Sequence, residues 1–189
     1  MKINQQSNYV RPDLLQSARA TFLTEMLSIR DIEKYLINIL DFDNSPDLTE
    51  IHPRDRNNVS VHVMFLFDHI EDNSTQEIKN KFKDTIKIVQ HMPGVISARI
   101  IAIGPKSIVP LHLDDMQRPA YDLNNWYSVL IPINVSDASL IGIEIENNIY
   151  THENDQAIIF DTQVPHSGWN KTDQWWISLK LYIEKDYFK

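Results

Sequence analysis

Short apolar runs of strand length divide the second half of the chain, and this pattern restricts the fold more than any other feature. Polar turn residues separate most of the runs, so the chain can reverse direction between them. The runs occupy residues 95–103, 107–113, 126–135, 140–145, 157–160 and 175–183. Many short strands at this spacing predict a β-sandwich or a β-barrel.

The first half of the chain has a different character. Residues 12–40 carry apolar side chains at helical spacing, which predicts two helices or one broken helix, and residues 41–58 are rich in turn formers. A strand is predicted over 59–67 and a helix over 75–91. We therefore expect one integrated domain, in which a helical N-terminal region with one or two strands, residues 1–93, packs on a barrel formed by residues 94–189.

The scarcity of glycine and the absence of cysteine exclude several classes of site. Four glycines are too few to build a Gly-rich phosphate loop, so nucleotide-binding P-loop and Rossmann folds are excluded. No cysteine is present, which removes disulfides, thiolate zinc sites, iron–sulfur clusters and cysteine nucleophiles. Any metal must therefore be held by histidine and carboxylate.

The charge balance of the chain is acidic and disfavours polyanionic partners. Eighteen Lys and Arg against 26 Asp and Glu give a net charge of −8, which repels nucleic acid and anionic membrane surfaces. The N-terminus lacks the apolar run of a signal peptide, and no later stretch is long and apolar enough to cross a bilayer. We expect a cytoplasmic, soluble protein that binds neither nucleic acid nor membrane; its oligomeric state is unknown from the sequence.

A histidine followed two residues later by a carboxylate occurs twice, and the context separates the two cases. At this composition about one such pair arises by chance. His69 and Glu71 lie in a polar segment that reads as a solvated turn. His112 and Asp114 instead lie in an extended segment, where residues i and i+2 share a face about 6.6 Å apart. These two side chains can bind one ion, whereas Asp115 points to the opposite face.

A third candidate ligand, His166, follows a predicted turn and completes a set of two imidazoles and one carboxylate. Such a set leaves coordination positions open, which suits non-haem Fe(II) that binds oxygen and a bidentate cosubstrate. Zinc uses the same ligand types in hydrolytic enzymes, so the residues alone do not fix the metal. We predict that His112, Asp114 and His166 are both the metal ligands and the catalytic centre.

Residues 95–183 resemble the Fe(II)- and 2-oxoglutarate-dependent oxygenases, and within them the aspartyl/asparaginyl β-hydroxylase-like group that includes cis-proline hydroxylases. The matching segments are Ala98-Arg99-Ile100, Gly104-Pro105, Pro110-Leu111-His112-Leu113-Asp114, Leu130-Ile131-Pro132, Phe160-Asp161, Pro165-His166 and Trp169-Asn170. The resemblance implies a mostly β fold with N-terminal helices, a double-stranded β-helix of the jelly-roll, cupin-like kind. It also implies an Fe(II)- and 2-oxoglutarate-dependent dioxygenase that hydroxylates an aliphatic carbon of an amino acid, free or within a peptide.

One position departs from the pattern of the family. Its members usually carry an Arg ten residues after the second His, which binds the distal carboxylate of 2-oxoglutarate, whereas this chain has Trp176. Strand alternation places Lys180 on the same face as Trp176, but further along the strand. Lys180, Arg118 and Arg99 are therefore the candidate cosubstrate-binding residues, and Arg99 or Arg118 could also hold a substrate carboxylate.

Two other functions remain open on the sequence. The first is a His₂-carboxylate metalloenzyme that does not use 2-oxoglutarate, which the tryptophan at position 176 favours. The second is a non-catalytic β-barrel that binds a ligand or a partner, and it predicts that the chain has no affinity for metal.

Overall fold

The computed structural model describes residues 12–28, 61–70, 74–114, 125–152 and 156–188. Within these ranges the first half of the chain contains three α-helices: α1 (Pro12–Ser28), α2 (Gln76–Lys81) and α3 (Lys83–Gln90). The strands are β1 (Val61–Asp68), β2 (Val95–Ile103), β3 (Ser107–His112), β4 (Trp126–Asn134), β5 (Ile141–Ile145), β6 (Asn148–Tyr150), β7 (Ile158–Asp161), β8 (His166–Asn170) and β9 (Trp176–Glu184). The predicted helical pattern over 32–40 and the loop over 41–58 lie outside the described residues.

The strands form two antiparallel sheets that face each other as a double-stranded β-helix. The larger sheet has the order β1-β2-β9-β4-β7 and the smaller one the order β3-β8-β5-β6. Strands that follow one another in the sequence mostly belong to different sheets, so the chain passes back and forth between the two sheets. The predicted mostly β fold with N-terminal helices is confirmed. The strand β1, from the region before residue 94, pairs with β2 in the larger sheet.

The helices cover the outer face of the larger sheet, and the main hydrophobic core lies between the helices and that face. Alternate residues of the sheet point outward into this core because successive side chains of a strand face opposite sides. This core contains, among others, Ala18, Phe22, Phe82 and Val89 from the helical region and Ala98, Ile100, Val129, Ile131, Leu179 and Leu181 from the sheet. Among the described residues, no helix has the length and apolar character needed to span a bilayer.

The helix predicted over 75–91 is divided in two by Phe82. Thr75 begins α2 by accepting a hydrogen bond from the backbone N–H of Ile78 on its side-chain oxygen. Phe82 then leaves the helical region of backbone space, with φ −114° and ψ 31°. Its ring stacks on Phe22 of α1 with the centroids 5.1 Å apart, and both rings are fully buried. The break thus accompanies a packing contact that helical periodicity does not reveal.

We expect Phe82→Ala to lower the free energy of unfolding by about 3–5 kcal/mol, the usual cost of removing a buried aromatic ring. The loss has two sources, the apolar area returned to water and the cavity left beside Phe22. Urea unfolding followed by circular dichroism measures it. Leu27→Ala on α1 is the control, because Leu27 is 82% exposed and its loss should change stability by less than about 0.5 kcal/mol. Equal effects of the two substitutions would contradict the packing described here.

The predicted strands in the second half are found within one residue of their predicted ends, but two strands were missed. The strand β6 has three residues and follows a tight hairpin turn in which Glu146 and Asn147 have positive φ. The strand β8 has the sequence HSGWN, whose buried positions hold His166, Gly168 and Asn170 rather than apolar side chains. Apolar alternation is thus absent from β8 where it carries a candidate ligand.

The inner face of the larger sheet is unusually polar. Ser97 and Arg99 on β2, Ser128 on β4, and Ser178 and Lys180 on β9 are all buried. In the sheet register Arg99 lies opposite Lys180. Burying two cations beside each other is unfavourable unless anions compensate them, and each cation here has a buried carboxylate within 4 Å, Asp114 for Lys180 and Asp68 for Arg99.

Candidate metal centre

Strand pairing brings the two candidate histidines together at one end of the smaller sheet. His112, the last residue of β3, is the register partner of His166, the first residue of β8. Their ring centroids are 4.3 Å apart. An irregularity in the β3–β8 register lies between Val109 and His112, and such bulges commonly redirect a side chain beside a functional site.

Asp114 completes the group from two residues beyond His112. Its Oδ1 atom lies 3.6 Å from Nε2 of His166 and 4.0 Å from Nε2 of His112. The three ligand atoms lie within 4.8 Å of one another, which is close enough for one ion to contact all of them. The Asp114 and His166 side chains are buried, whereas His112 is partly exposed.

Backbone carbonyls fix which nitrogen of each imidazole faces the centre. The Nδ1 atom of His112 lies 2.8 Å from the carbonyl oxygen of Pro110, and that of His166 lies 3.0 Å from the carbonyl oxygen of Val164. A carbonyl only accepts hydrogen bonds, so Nδ1 must donate in both rings. In the neutral form of such a ring Nε2 carries the lone pair, and in both histidines Nε2 is the nitrogen that faces Asp114, as in metal-ligating histidines.

The protonation states also suit a metal. Desolvation, and after it the neighbouring His166, lowers the pKa of His112 to about 4, so this imidazole is neutral at pH 7. Burial alone would raise the pKa of Asp114, but the ammonium of Lys180 and the contact with His166 hold it well below its usual value. Two imidazoles and one carboxylate fit a non-haem Fe(II) ion, and the same donors are compatible with zinc.

Asp114 has further partners on the larger sheet. Lys180 Nζ donates to Oδ1 at 2.8 Å and to Oδ2 at 2.7 Å, and the Ser128 hydroxyl donates to Oδ2 at 2.7 Å. Burial alone would lower the pKa of Lys180, but the Asp114 carboxylate raises it above its usual value. Lys180, a candidate residue for cosubstrate binding, thus forms an ion pair with Asp114, a candidate metal ligand.

Arg99 also lies in the interior, where it is 5% exposed. Its guanidinium carbon is 4.5 Å from the ring centroid of Phe65 and 4.9 Å from that of Tyr182, distances typical of cation–π contacts. A guanidinium nitrogen lies 3.7 Å from Oδ2 of the buried Asp68, and Nε donates to the Ser97 hydroxyl at 3.4 Å. Arg99 is therefore a buried cation held by aromatic rings and a carboxylate.

Trp176 fills the position at which the family pattern places arginine. The side chain is 3% exposed and packs with Ile103 and Ile141 in an apolar cluster. Its indole N–H donates to the Ser178 hydroxyl at 2.9 Å, and the ring of His152 contacts it edge-on at 5.5 Å. This region of the interior is buried and mostly apolar, unlike the region around Lys180 and Arg99.

The other predicted site residues and the missed ones have separate explanations. Arg118 and the rival carboxylate Asp115 lie outside the described residues. Sequence reasoning did not single out Ser128 or Asp68 as parts of the site. The sequence did contain one signal for Ser128, since it places a hydroxyl side chain within the largely apolar run 126–135. No local pattern indicates the contact of Asp68 with Arg99, because it depends on the register between β1 and β2.

Comparison with known proteins adds a family match. The family model for aspartyl/asparaginyl beta-hydroxylases matches residues 27–185. No curated protein matches the chain significantly.

The chain is also similar to solved structures of low sequence identity. A Pseudomonas putida prolyl-4-hydroxylase shares 14% identity over 95% of this chain and 90% of its own, with a TM-score of 0.48. An oxidoreductase of the 2OG-Fe(II) oxygenase family from Burkholderia pseudomallei shares 10% over 71% of each chain, with a TM-score of 0.45. The DMSP lyase DddQ from Ruegeria pomeroyi shares 8% over 83% of this chain and 62% of its own, with a TM-score of 0.48. The chain spans less than two thirds of the length of some structures it matches, this lyase among them.

Proposed function

This chain belongs to the aspartyl/asparaginyl beta-hydroxylase family, and from that membership we propose that it is an Fe(II)- and 2-oxoglutarate-dependent oxygenase. Its reaction is the hydroxylation of an aliphatic carbon in an amino acid, free or within a peptide. The observation that carries the proposal is the convergence of two imidazole Nε2 atoms and the Asp114 carboxylate on one point of the barrel.

The ligands of the iron are His112, Asp114 and His166 in this proposal. Fe(II) with 2-oxoglutarate supplies oxidative chemistry that side chains lack, since with dioxygen it converts the keto acid to succinate and CO₂ and adds oxygen to a C–H bond. The chain's own contribution is orientation and exclusion of water. Backbone carbonyls hold both imidazoles, Ser128 holds the carboxylate, and the ring of Phe160, centred 4.6 Å from that of His166, forms an apolar wall.

The distal carboxylate of 2-oxoglutarate binds to the cations of the interior rather than beside Trp176. Lys180 and Arg99 are register partners on neighbouring strands of the same sheet, so one dicarboxylate can approach both. Arginine can bind a carboxylate with two parallel hydrogen bonds, whereas lysine acts as a point charge. Arg118 stays a predicted alternative for this role or for binding the substrate's carboxylate.

The partner and location that we propose follow from charge and chemistry. The partner is a small amino acid or a peptide, and the net charge of −8 disfavours nucleic acid and anionic membranes. The location is the cytoplasm, where 2-oxoglutarate and reduced iron are available.

Removing one ligand tests the proposed function. We expect His166→Ala to lower the affinity for Mn(II), a redox-stable substitute for Fe(II), by at least about 100-fold, since even changes behind a ligand cost 10–100-fold. Succinate formation from 2-oxoglutarate should fall to background in the same variant. Isothermal titration calorimetry measures the first effect, and mass spectrometry of products measures the second, over a panel of amino acids and short peptides.

The matched control is His69→Ala, because His69 is an exposed histidine whose ring packs against Phe67 and which is not part of the group formed by His112, Asp114 and His166. It should bind Mn(II) and release succinate like the wild type. Equal metal binding by the wild type and by His166→Ala would remove the metal centre from the proposal.

A metalloenzyme that does not use 2-oxoglutarate is the second candidate, and the buried, mostly apolar environment of Trp176 favours it. It predicts that the wild type binds the metal but releases no succinate with any substrate in the panel. A non-catalytic barrel predicts no metal binding by any variant, so the same measurements distinguish all three functions.

A further inference from the structure

The contact between Lys180 and Asp114 places a cation where a metal ion needs the same oxygen. Oδ1 of Asp114 lies 3.6 Å from Nε2 of His166 and 4.0 Å from Nε2 of His112, and it accepts a hydrogen bond from Lys180 Nζ at 2.8 Å. Lys180 contacts both carboxylate oxygens, and the two side chains are buried. A divalent cation on this carboxylate and an ammonium on the same oxygens repel each other strongly in a poorly solvated interior.

The charges of the interior also balance without a metal. The buried charged side chains in the described part of the chain are two cations, Lys180 and Arg99, and two carboxylates, Asp114 and Asp68. Each cation contacts one carboxylate, so the net charge of these four groups is zero. A divalent metal raises it to +2, which a dicarboxylate of charge −2 returns to zero.

We propose that Lys180 is an internal counter-ion of the metal-free protein, which the metal displaces from Asp114 and which then binds the dicarboxylate cosubstrate together with Arg99. This inference rests on the proposed function and adds a mechanism of regulation to the same site. With a metal held by Asp114, the Lys180 ammonium would leave this carboxylate and would be free to pair with a carboxylate of the bound anion. Metal and dicarboxylate therefore bind with positive coupling, which acts equally in both directions.

The surroundings of Lys180 fit this exchange. The ammonium lies 5.0 Å from the ring centroid of Tyr182 and 5.8 Å from that of Phe160, so aromatic faces adjoin it besides Asp114. Ser128 holds Oδ2 of Asp114 independently of Lys180, so the carboxylate keeps a hydrogen bond when the ammonium leaves. Aromatic faces and a neighbouring hydroxyl thus reduce the cost of separating the ion pair.

The test measures binding of Mn(II) to the full chain without turnover, with and without 2-oxoglutarate. We expect Lys180→Met to bind Mn(II) about tenfold or more tightly than the wild type, because the competing cation is gone. In the wild type 2-oxoglutarate should tighten Mn(II) binding by about tenfold, and in Lys180→Met most of that gain should disappear. Lys180→Arg keeps the charge and should retain the weaker Mn(II) affinity of the wild type.

The direction of the effect distinguishes competition from a structural role. A lysine that only supports the site would weaken Mn(II) binding when it is removed, so equal or weaker binding by a folded Lys180→Met would overturn the inference. The proposed function would survive that result if the wild type still binds Mn(II) and releases succinate. Failure of the wild type to bind Mn(II) would instead overturn both.

A measurement on the wild type covers the case in which Lys180→Met does not fold. The side-chain ¹⁵N resonance of Lys180, assigned by its absence from the Lys180→Arg spectrum, reports on the contact with Asp114. One equivalent of Zn(II), which is diamagnetic, should shift this resonance as the ammonium leaves the carboxylate. An unchanged resonance at saturating Zn(II) would refute the displacement.

Discussion

Asp114→Ala is expected to lower the free energy of unfolding of the metal-free protein by about 3–5 kcal/mol, because it leaves the buried charge of Lys180 without its partner. Lys180 Nζ is held by both oxygens of Asp114, and the two side chains are 9% and 7% exposed. Without the carboxylate, the ammonium must either remain unpaired in the interior or lose its proton. Urea unfolding in the presence of a chelator measures the loss.

The sign of the pH dependence follows from the directions of the two pKa shifts. The pKa of Asp114 is lowered, so its stabilising contribution is present above the unfolded value of about 3.9 and is lost as pH falls. The pKa of Lys180 is raised, so its contribution is present below about 10.4 and is lost as pH rises through the raised value. The stability that this pair contributes to the wild type should therefore be constant from about pH 5.5 to about pH 9.

An exposed ion pair provides the control for this prediction. Lys106 and Asp173 lie 3.1 Å apart with side chains 61% and 85% exposed, so Asp173→Ala should cost less than about 1 kcal/mol. The double variant Asp114→Ala/Lys180→Met should be more stable than Asp114→Ala, since no unpaired charge remains. A cost below about 1 kcal/mol for Asp114→Ala would show that the buried pair contributes little in solution.

Strand alternation was sufficient to predict most of the barrel, and ligand spacing selected three side chains that the fold brings together. The register partners His112 and His166 lie in segments that are distant in the sequence, yet their residue types and flanking residues selected both as candidate ligands. The same alternation placed Trp176, Ser178, Lys180 and Tyr182 on one face of β9, and all four are buried. Periodicity of two is a local property, so it can be read from one strand at a time.

Features that depend on contacts between the sheets could not be predicted in this way. Asp114 follows β3 of the smaller sheet and Lys180 lies on β9 of the larger one, so their ion pair appears only when the two sheets face each other. The strand β8 escaped prediction because its inward positions carry His166, Gly168 and Asn170 instead of apolar residues. At these positions, residues of the candidate site or of close packing stand where strand prediction relies on apolar residues.

Trp176→Arg restores the family's usual residue at that spacing, and we expect it to reduce stability without creating a cosubstrate anchor. The indole is 3% exposed and packs with Ile103 and Ile141, so the substitution removes apolar packing and places a guanidinium in an apolar cluster. Losing a buried tryptophan alone costs about 3–5 kcal/mol, and an unpaired buried cation adds to that cost. Among the described residues, the buried carboxylates Asp114 and Asp68 already contact other cations.

The matched substitution is Trp176→Phe, which keeps an aromatic ring but loses the indole N–H that donates to Ser178. It should cost less than Trp176→Arg and leave the binding of 2-oxoglutarate to the Mn(II)-loaded protein unchanged. Urea unfolding measures the two stabilities, and calorimetric titration with 2-oxoglutarate measures binding. If Trp176→Arg were instead as stable as the wild type and bound 2-oxoglutarate more tightly, the carboxylate would bind at position 176, and the roles proposed for Lys180 and Arg99 would be wrong. We expect the opposite, because the cations that a dicarboxylate needs are at the other end of the polar face of β9.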